Sequence, residues 1–389
     1  MIPYTLLTIR KPMLLSLLTT LTLYASNGDL MIATGTKSMG MGSVGIALSF
    51  GAESGLANPA LLSDVKESEI SGSATFFFPS IKTQADPLLV PSSKNGQAYE
   101  SDASFYLIPS LSYATALEQN WYVGMGVWGI AGMGVDFSDA PVGSGLFGMQ
   151  TDLMIMHIAT PIAYQSGALS LGIAPIVQVG MLDIQLQNLH PYDKTWDANM
   201  GLKLGVVYHF ENGLKVGGVY QTPISMEYHA NTPWVEDLKL EQPQEYGVGF
   251  SWQSGVHTVA MDYKRINWNT AEGYKNFGWN AQNLFAVGYE YHIEKGALRV
   301  GYNYAKSPID TTKAQPLQNY LNLLGFPATS KEHYTLGGSY SIAKHYTIDF
   351  ATVYSPEETT KGVIYDKRDI EITNQHKELS VTLQLDYRF

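Results

Sequence analysis

The chain has 389 residues, among them 25 Tyr, 37 Gly and no Cys, with 15% charged residues and a formal charge of −11. The acidic balance argues against nucleic acid, whose phosphates require a basic surface, and the lack of Cys removes disulfides, zinc–thiolate sites and thiol nucleophiles together. The length alone fits two or three soluble domains or one large barrel.

At the N-terminus, Arg10 and Lys11 precede a Leu/Thr-rich apolar run from Met13 to Tyr24. At about 12 residues the run is too short to cross a bilayer as a helix, and with its basic flank it reads as an export signal over residues 1–28. Cleavage fits after Ala25, or after Gly28 with Ser26 at the upstream small position. No other stretch approaches the ~18 to 20 continuous apolar residues of a membrane helix, so helical spans are not expected. Residues 29–67 are rich in Gly and Ala and lack strand alternation, whereas 68–389 alternate strand-like segments with loops.

Strand-like segments fall near 69–79, 103–115, 121–133, 152–165, 168–180, 197–210, 214–229, 239–252, 256–268, 281–293, 296–306, 332–343, 345–356 and 377–389. Short polar turns near Gln119, Ser166, Asn212, Ser254, Lys295 and Lys344 recur about every 40 to 50 residues, the spacing of successive β-hairpins. Longer connections lie between them. This pattern predicts an all-β fold, a transmembrane antiparallel β-barrel of about 14 strands in the bacterial outer membrane, with turns on the periplasmic side and loops outside. In the last strand Val381, Leu383, Leu385, Tyr387 and Phe389 take one face, and Thr382, Gln384, Asp386 and Arg388 the other. A soluble sandwich alternates too. Here, however, Trp121, Tyr164, Tyr208, Phe210, Trp252, Tyr289, Tyr291, Tyr340 and Tyr346 gather beside the short turns, as an interfacial girdle does.

Parity turns Gly172, Gly180, Gly201, Gly205, Gly217, Gly247, Gly249, Gly288, Gly301 and Gly337 toward the lumen. They either make room for 29–67 as a plug or relieve strand twist. The segment around Leu153–Ile162 is apolar on both faces, so one face presents Met154 and Met156 or their neighbours to the lumen; on the preceding strand Trp128 and Ile130 point in. Such side chains suit varied hydrophobic ligands, or simply pack the plug. Lys203, Lys264 and Arg299 also take the inward parity. They can pair with a solute carboxylate, with plug carboxylates such as Glu53 or Asp64, or with lumen water.

Catalytic chemistry is not indicated. The nine His are scattered without His-x-x-x-His spacing, and no Gly-x-Ser-x-Gly elbow or phosphate-binding Gly loop precedes a helix. No metal or cofactor is expected.

The Gly-rich run from Gly35 to Gly45, including Gly40 and Gly42, and the triplet Asn58-Pro59-Ala60 resemble the N-terminal hatch of the FadL/TodX-type outer-membrane transporters of long-chain fatty acids and aromatic hydrocarbons. Gln221-Thr222-Pro223, the stretch from Asp262 to Trp268 and that from Tyr302 to Pro308 resemble the family's later strands. The resemblance implies a 14-stranded barrel plugged by its hatch, with capture outside and lateral release into the membrane through an inward kink in the third strand. There Gly126, Gly129 and Gly132 fall among five glycines, which permit a side opening or merely relieve curvature. The outer loops at 181–196 and 230–238 look short for a capture groove. An apolar loop with Leu317, Tyr320, Leu321, Leu324 and Phe326 either substitutes for that groove or packs over the barrel mouth. The expected partners are a hydrophobic small molecule, outer-membrane lipid and, during biogenesis, the barrel-assembly machinery; a monomer is expected. The alternative function is a general porin or structural barrel with aqueous conductance.

Overall fold

The computed structural model describes residues 27–86, 96–141, 143–187, 189–233, 235–365 and 370–389. Most of the export-signal segment, 1–26, lies outside these residues. The strands are β1 (Glu69–Ala85), β2 (Ala98–Glu100), β3 (Tyr106–Ala116), β4 (Trp121–Asp136), β5 (Met149–Ala159), β6 (Ile162–Ser166), β7 (Leu169–Leu186), β8 (Leu189–His209), β9 (Leu214–Gln221), β10 (Ile224–Tyr228), β11 (Leu238–Gln242), β12 (Glu245–Ser254), β13 (His257–Ile266), β14 (Gln282–Ile293), β15 (Gly296–Ala305), β16 (Glu332–Ala343), β17 (Tyr346–Tyr365) and β18 (Ile370–Arg388). Each barrel strand pairs antiparallel with its neighbours, and β18 returns to β1 to close a barrel of 14 strands. Closure leaves no edge unpaired in lipid.

The wall obeys the alternation read from the sequence. Along β18, Leu379, Leu383 and Leu385 are exposed on the lipid side, while Thr382, Gln384 and Asp386 are buried inside. Near the short turns, aromatics meet in tilted or edge-on pairs: Trp121 with Tyr164 at 4.9 Å, Tyr208 with Phe210 at 4.7 Å and Tyr346 with Tyr387 at 4.8 Å.

Three segments read as continuous strands are interrupted at proline, which has no N–H for the ladder. Pro161 separates β5 from β6, which together form one stave of the wall. Pro223 and Pro243 break the paired staves at one level, just beyond Gln221↔Glu245. Beyond that level β10 and β11 leave the wall as a separate hairpin. Its Ile224, Met226, Tyr228 and Leu240 are buried in the core, and Ile224 and Tyr228 lie against the inward-facing Gly201 and Gly180. Residues 181–196 also differ from the sequence expectation. Read as an outer loop, they are largely strand, because β7 and β8 continue to pair up to Leu186↔Leu189 through two bulges.

The N-terminal segment fills the lumen below the hairpin. Its helical turns, Thr36–Gly40, Ser54–Ala57 and Pro59–Asp64, are mostly buried. The remaining eight inward-facing glycines predicted from parity lie against it. A Cβ on Gly301 would come within 2.2 Å of Gly42 N, one on Gly172 within 2.2 Å of Ala60 N, and one on Gly288 within 2.4 Å of Met41 O. Gly42 itself has φ +69°, so both partners in that contact must be glycine.

Candidate functional site: the lumen cavity and the break between two strands

Asn58 organises the centre of the plug. Its Oδ1 accepts the Ala60 N–H at 3.0 Å, starting the turn that follows, and its Nδ2 donates to Ile46 O at 2.6 Å. Pro59 and Ala60 then sit directly on Gly172 and Gly205. Gly40 touches Gly337 in the same manner on the far wall. Hatch and barrel thus meet backbone to backbone.

Charge fixes the periplasmic end. Lys37 pairs with Asp386, with Asp349 at 3.4 Å and with Glu53 at 4.0 Å. Burial alone would lower the Lys37 pKa, but Asp386, Glu53, Asp349 and Glu69 together hold it above the ordinary lysine value. Burial pushes Glu53 up to about 7 against the pull of Lys37. Below the hatch, an open pocket surrounds Phe50 with Lys37, Glu69, Glu290, Arg299 and Arg388. The axial route toward the periplasm is therefore strongly polar.

At the opposite end, Asp29 is buried. Gln242 Nε2 donates to its carboxylate at 2.8 Å, and the Tyr274 hydroxyl donates to the same oxygen. Burial raises Asp29 to about 7, outweighing those hydrogen bonds, with Glu245 adding to the rise. Next to it, Gly28 packs on Trp268, which with Tyr274 and Trp279 forms a triangle of rings 4.6–5.1 Å apart.

The wall changes course in β4. Strand β3 pairs with β4 from Ala116↔Tyr122 to Ser110↔Trp128 and no further. Above Trp128, β4 pairs instead with the N-terminal segment: Leu30 bridges Ala131, Met31 N donates to Ile130 O at 2.9 Å, and Gly132 N donates to Asp29 O at 2.8 Å. Both faces of β4 are buried from Trp128 to Val135, so this part has left the lipid-facing wall. Ile130 is the extra residue of a bulge against β5. At the start of the bend Trp128 covers Gly126, where a Cβ would lie 2.4 Å from the indole. Gly129 pairs with Met156 just below the bulge, and Gly132 with Met154 just above it.

Between hatch and bent strand lies a cavity of about 90 Å³, lined by Leu30, Ile130, His157, Lys203, Glu245 and Lys264 among others. It contains several candidate residues and leaves others out. Ile130, Lys203 and Lys264 line it; Trp128 is buried beside it. Met154 and Met156 do not line it, because they share the parity of lipid-exposed Ile158 while His157 takes the lumen side. Arg299 lies in the polar pocket below the hatch, bound to Glu290 at 2.6 Å. Lys203 Nζ donates to Leu56 O at 2.9 Å, and Lys264 pairs with Glu245 at 3.2 Å. All three cations therefore already have partners. Of the carboxylates suggested for them, Glu53 is held by Lys37 and Asp64 by Lys215 at 2.5 Å.

Sequence reasoning missed His157, Glu245 and Asp29. Inward parity was a usable signal for His157 and for Glu245, which shares the parity of Gly247 and Gly249; Asp29 needed the docked N-terminal segment. Outside, Leu317 and Tyr320 join Phe147, Leu186, Leu189 and Ile364 around an open apolar groove of about 530 Å³. Leu324 and Phe326 turn into the core, and Leu321 is half-buried. The loop thus packs over the barrel mouth through Leu324 and Phe326, while Leu317 and Tyr320 border the groove.

Solved structures share this architecture. The toluene transporter TodX of P. putida superposes with a TM-score of 0.69 at 17% identity, covering 92% of this chain and 99% of that one. A Pseudomonas aeruginosa FadL homologue gives 0.72 at 14% identity over 93% and 100%. A 47 kDa outer membrane protein of Pasteurella multocida is 21% identical over 85% of this chain and 87% of its own length. Residues 18–266 match the family model described as outer membrane protein transport protein (OMPP1/FadL/TodX), so the chain belongs to this family of outer-membrane transport proteins.

Proposed function

We propose that this protein carries neutral hydrophobic small molecules, such as aromatic hydrocarbons, across the outer membrane and releases them sideways between β3 and β4. The observation that carries the reading is the break in the wall above Ser110↔Trp128, where β4 turns inward beside an apolar stretch of the lumen. A solute leaving there remains in hydrocarbon, and each CH₂ kept from water is worth about 0.8 kcal/mol. The axial route would expose it to the charged pocket below the hatch.

The partnered state of Lys203, Lys264 and Arg299 favours a neutral solute over an ionised fatty acid, which would have to displace Leu56 O, Glu245 or Glu290. Capture begins at the outer groove formed by Leu317 and Tyr320. The cavity of about 90 Å³ is smaller than the ~150 Å³ that admits benzene, so passage requires the hatch to shift. Carriage of this kind needs no catalytic group or cofactor; the protein acts as a monomer in outer-membrane lipid after insertion by the barrel-assembly machinery. Cleavage after Ala25 retains Gly28 for its contact with Trp268, and the intact mass of the mature protein tests that site.

The chain has no native cysteine to interfere with a cross-link test. Cysteines replacing Ile108 and Ile130, joined by a short thiol-reactive bridge, should stop toluene uptake, with recovery when a cleavable bridge is cut. Unchanged uptake in the bridged protein would mean that solute leaves by another route.

A further inference from the structure

We infer that Trp128, His157 and Gln178 form a polar subsite in the lumen that recognises one hydroxyl group on an otherwise apolar solute. The carried class would then be phenols and aromatic or aliphatic alcohols in preference to plain hydrocarbons. This deepens, and rests on, the transport reading above.

The three residues lie side by side on β4, β5 and β7, with Trp128 opposite His157 and His157 opposite Gln178. All are buried. His157 Nε2 and Gln178 Oε1 are 2.9 Å apart, so Nε2–H donates and Nδ1 is left as an acceptor. His157 Nδ1, Gln178 Nε2 and Trp128 Nε1 have no hydrogen-bond partner. One bare acceptor is therefore flanked on the neighbouring strands by two bare donors. A fourth unpartnered group, the Tyr228 hydroxyl, lies against Gly180, two residues beyond Gln178 on the same face.

Buried polar groups normally find partners, and leaving one bare is costly. Here the unpartnered groups sit on adjacent strands of one wall, and His157 is among the residues lining the cavity, with Trp128 and Gln178 opposite it on the neighbouring strands. A hydrocarbon leaves them unpaired. An ionised carboxylate only accepts, so it cannot serve His157 Nδ1. A hydroxyl both donates and accepts, which matches an acceptor flanked by donors. The nearby cations do not compete, since Lys203 and Lys264 are held by Leu56 O and Glu245.

Equilibrium binding of benzyl alcohol, benzyl methyl ether and toluene to the purified full-length barrel tests the subsite. The wild type should bind the alcohol about 5- to 10-fold more tightly than the ether after correction for partitioning, since the ether cannot donate to Nδ1. His157→Phe and Gln178→Leu should each remove most of that preference, read as the ratio of alcohol to toluene affinity within the same variant. Equal corrected affinities in the wild type would overturn the subsite and leave those atoms to bound water. Equal loss of alcohol and toluene in the variants would also overturn it, marking a packing role. The wild-type comparison stands even if the variants fail to fold. Binding of both solutes without preference sinks the subsite alone, whereas binding of neither also sinks the transport reading.

Discussion

Asp29 ties the start of the hatch to the outer half of the barrel, facing Gln242, Tyr274 and Glu245. Its folded pKa of about 7 lies above the ordinary 3.8, so the folded state holds a proton that the free segment gives up. The resulting stabilisation is present below pH 4 and is lost as pH rises through 7. Protection factors for the amides of residues 27–31, corrected for the intrinsic pH dependence of exchange, should therefore fall between pH 5 and 8, and Asp29→Asn should flatten that fall. A profile unchanged by the substitution would remove Asp29 as the cause. Lys37 plays the opposite part at the periplasmic end, where it neutralises buried carboxylates on hatch and wall. Lys37→Met leaves them unpaired, a loss of roughly 3–5 kcal/mol for a buried pair. Planar-bilayer recordings should show new ion conductance as the hatch loosens; silence equal to the wild type would contradict a latch role.

Among elements, the hatch and barrel wall are matched by glycine. On β15, Gly301 meets the backbone of Met41 and Gly42 at 2.2 Å from an added Cβ, and backbone cannot rotate aside as a side chain would. Gly301→Val should leave the barrel closed but displace the hatch, raising protease sensitivity at residues 35–50 and conductance together. An unaffected hatch would show that the contact yields easily. The inward hairpin of β10 and β11 was legible in part. Pro223 and Pro243 were visible in the sequence, but their effect was not, because a strand break becomes an inward turn only when Gly180 and Gly201 leave space for Tyr228 and Ile224.

The whole molecule depends on the seam between its ends. Strand β18 pairs with β1 from Glu69↔Arg388 to Ala85↔Ile372, and Phe389 N donates to Ser68 O at 3.0 Å. A closed barrel has no free edge from which to unzip, so the mature protein should migrate faster on a cold SDS gel than after boiling. Identical mobility would contradict closure. Deleting Phe389 should lower the yield of the fast-migrating form more than deleting Lys313, which sits in an outer loop; equal yields would remove the terminal aromatic from assembly.

The sequence by itself determined the barrel, its strand number, its lipid and lumen faces and its glycine-lined interior, because a strand in a membrane wall must alternate residue by residue and that period is local. Val381 to Phe389 carry this rule without help from any distant residue. Only the tertiary structure decided whether β4 leaves β3, since Gly126 and Gly132 permit a bend while Leu30 supplies the replacement partner from a segment about 100 residues away. It also decided which charges remain free. Parity turned Lys203 and Lys264 inward, but a carbonyl at Leu56 and a carboxylate at Glu245 become their partners only once hatch and wall are docked.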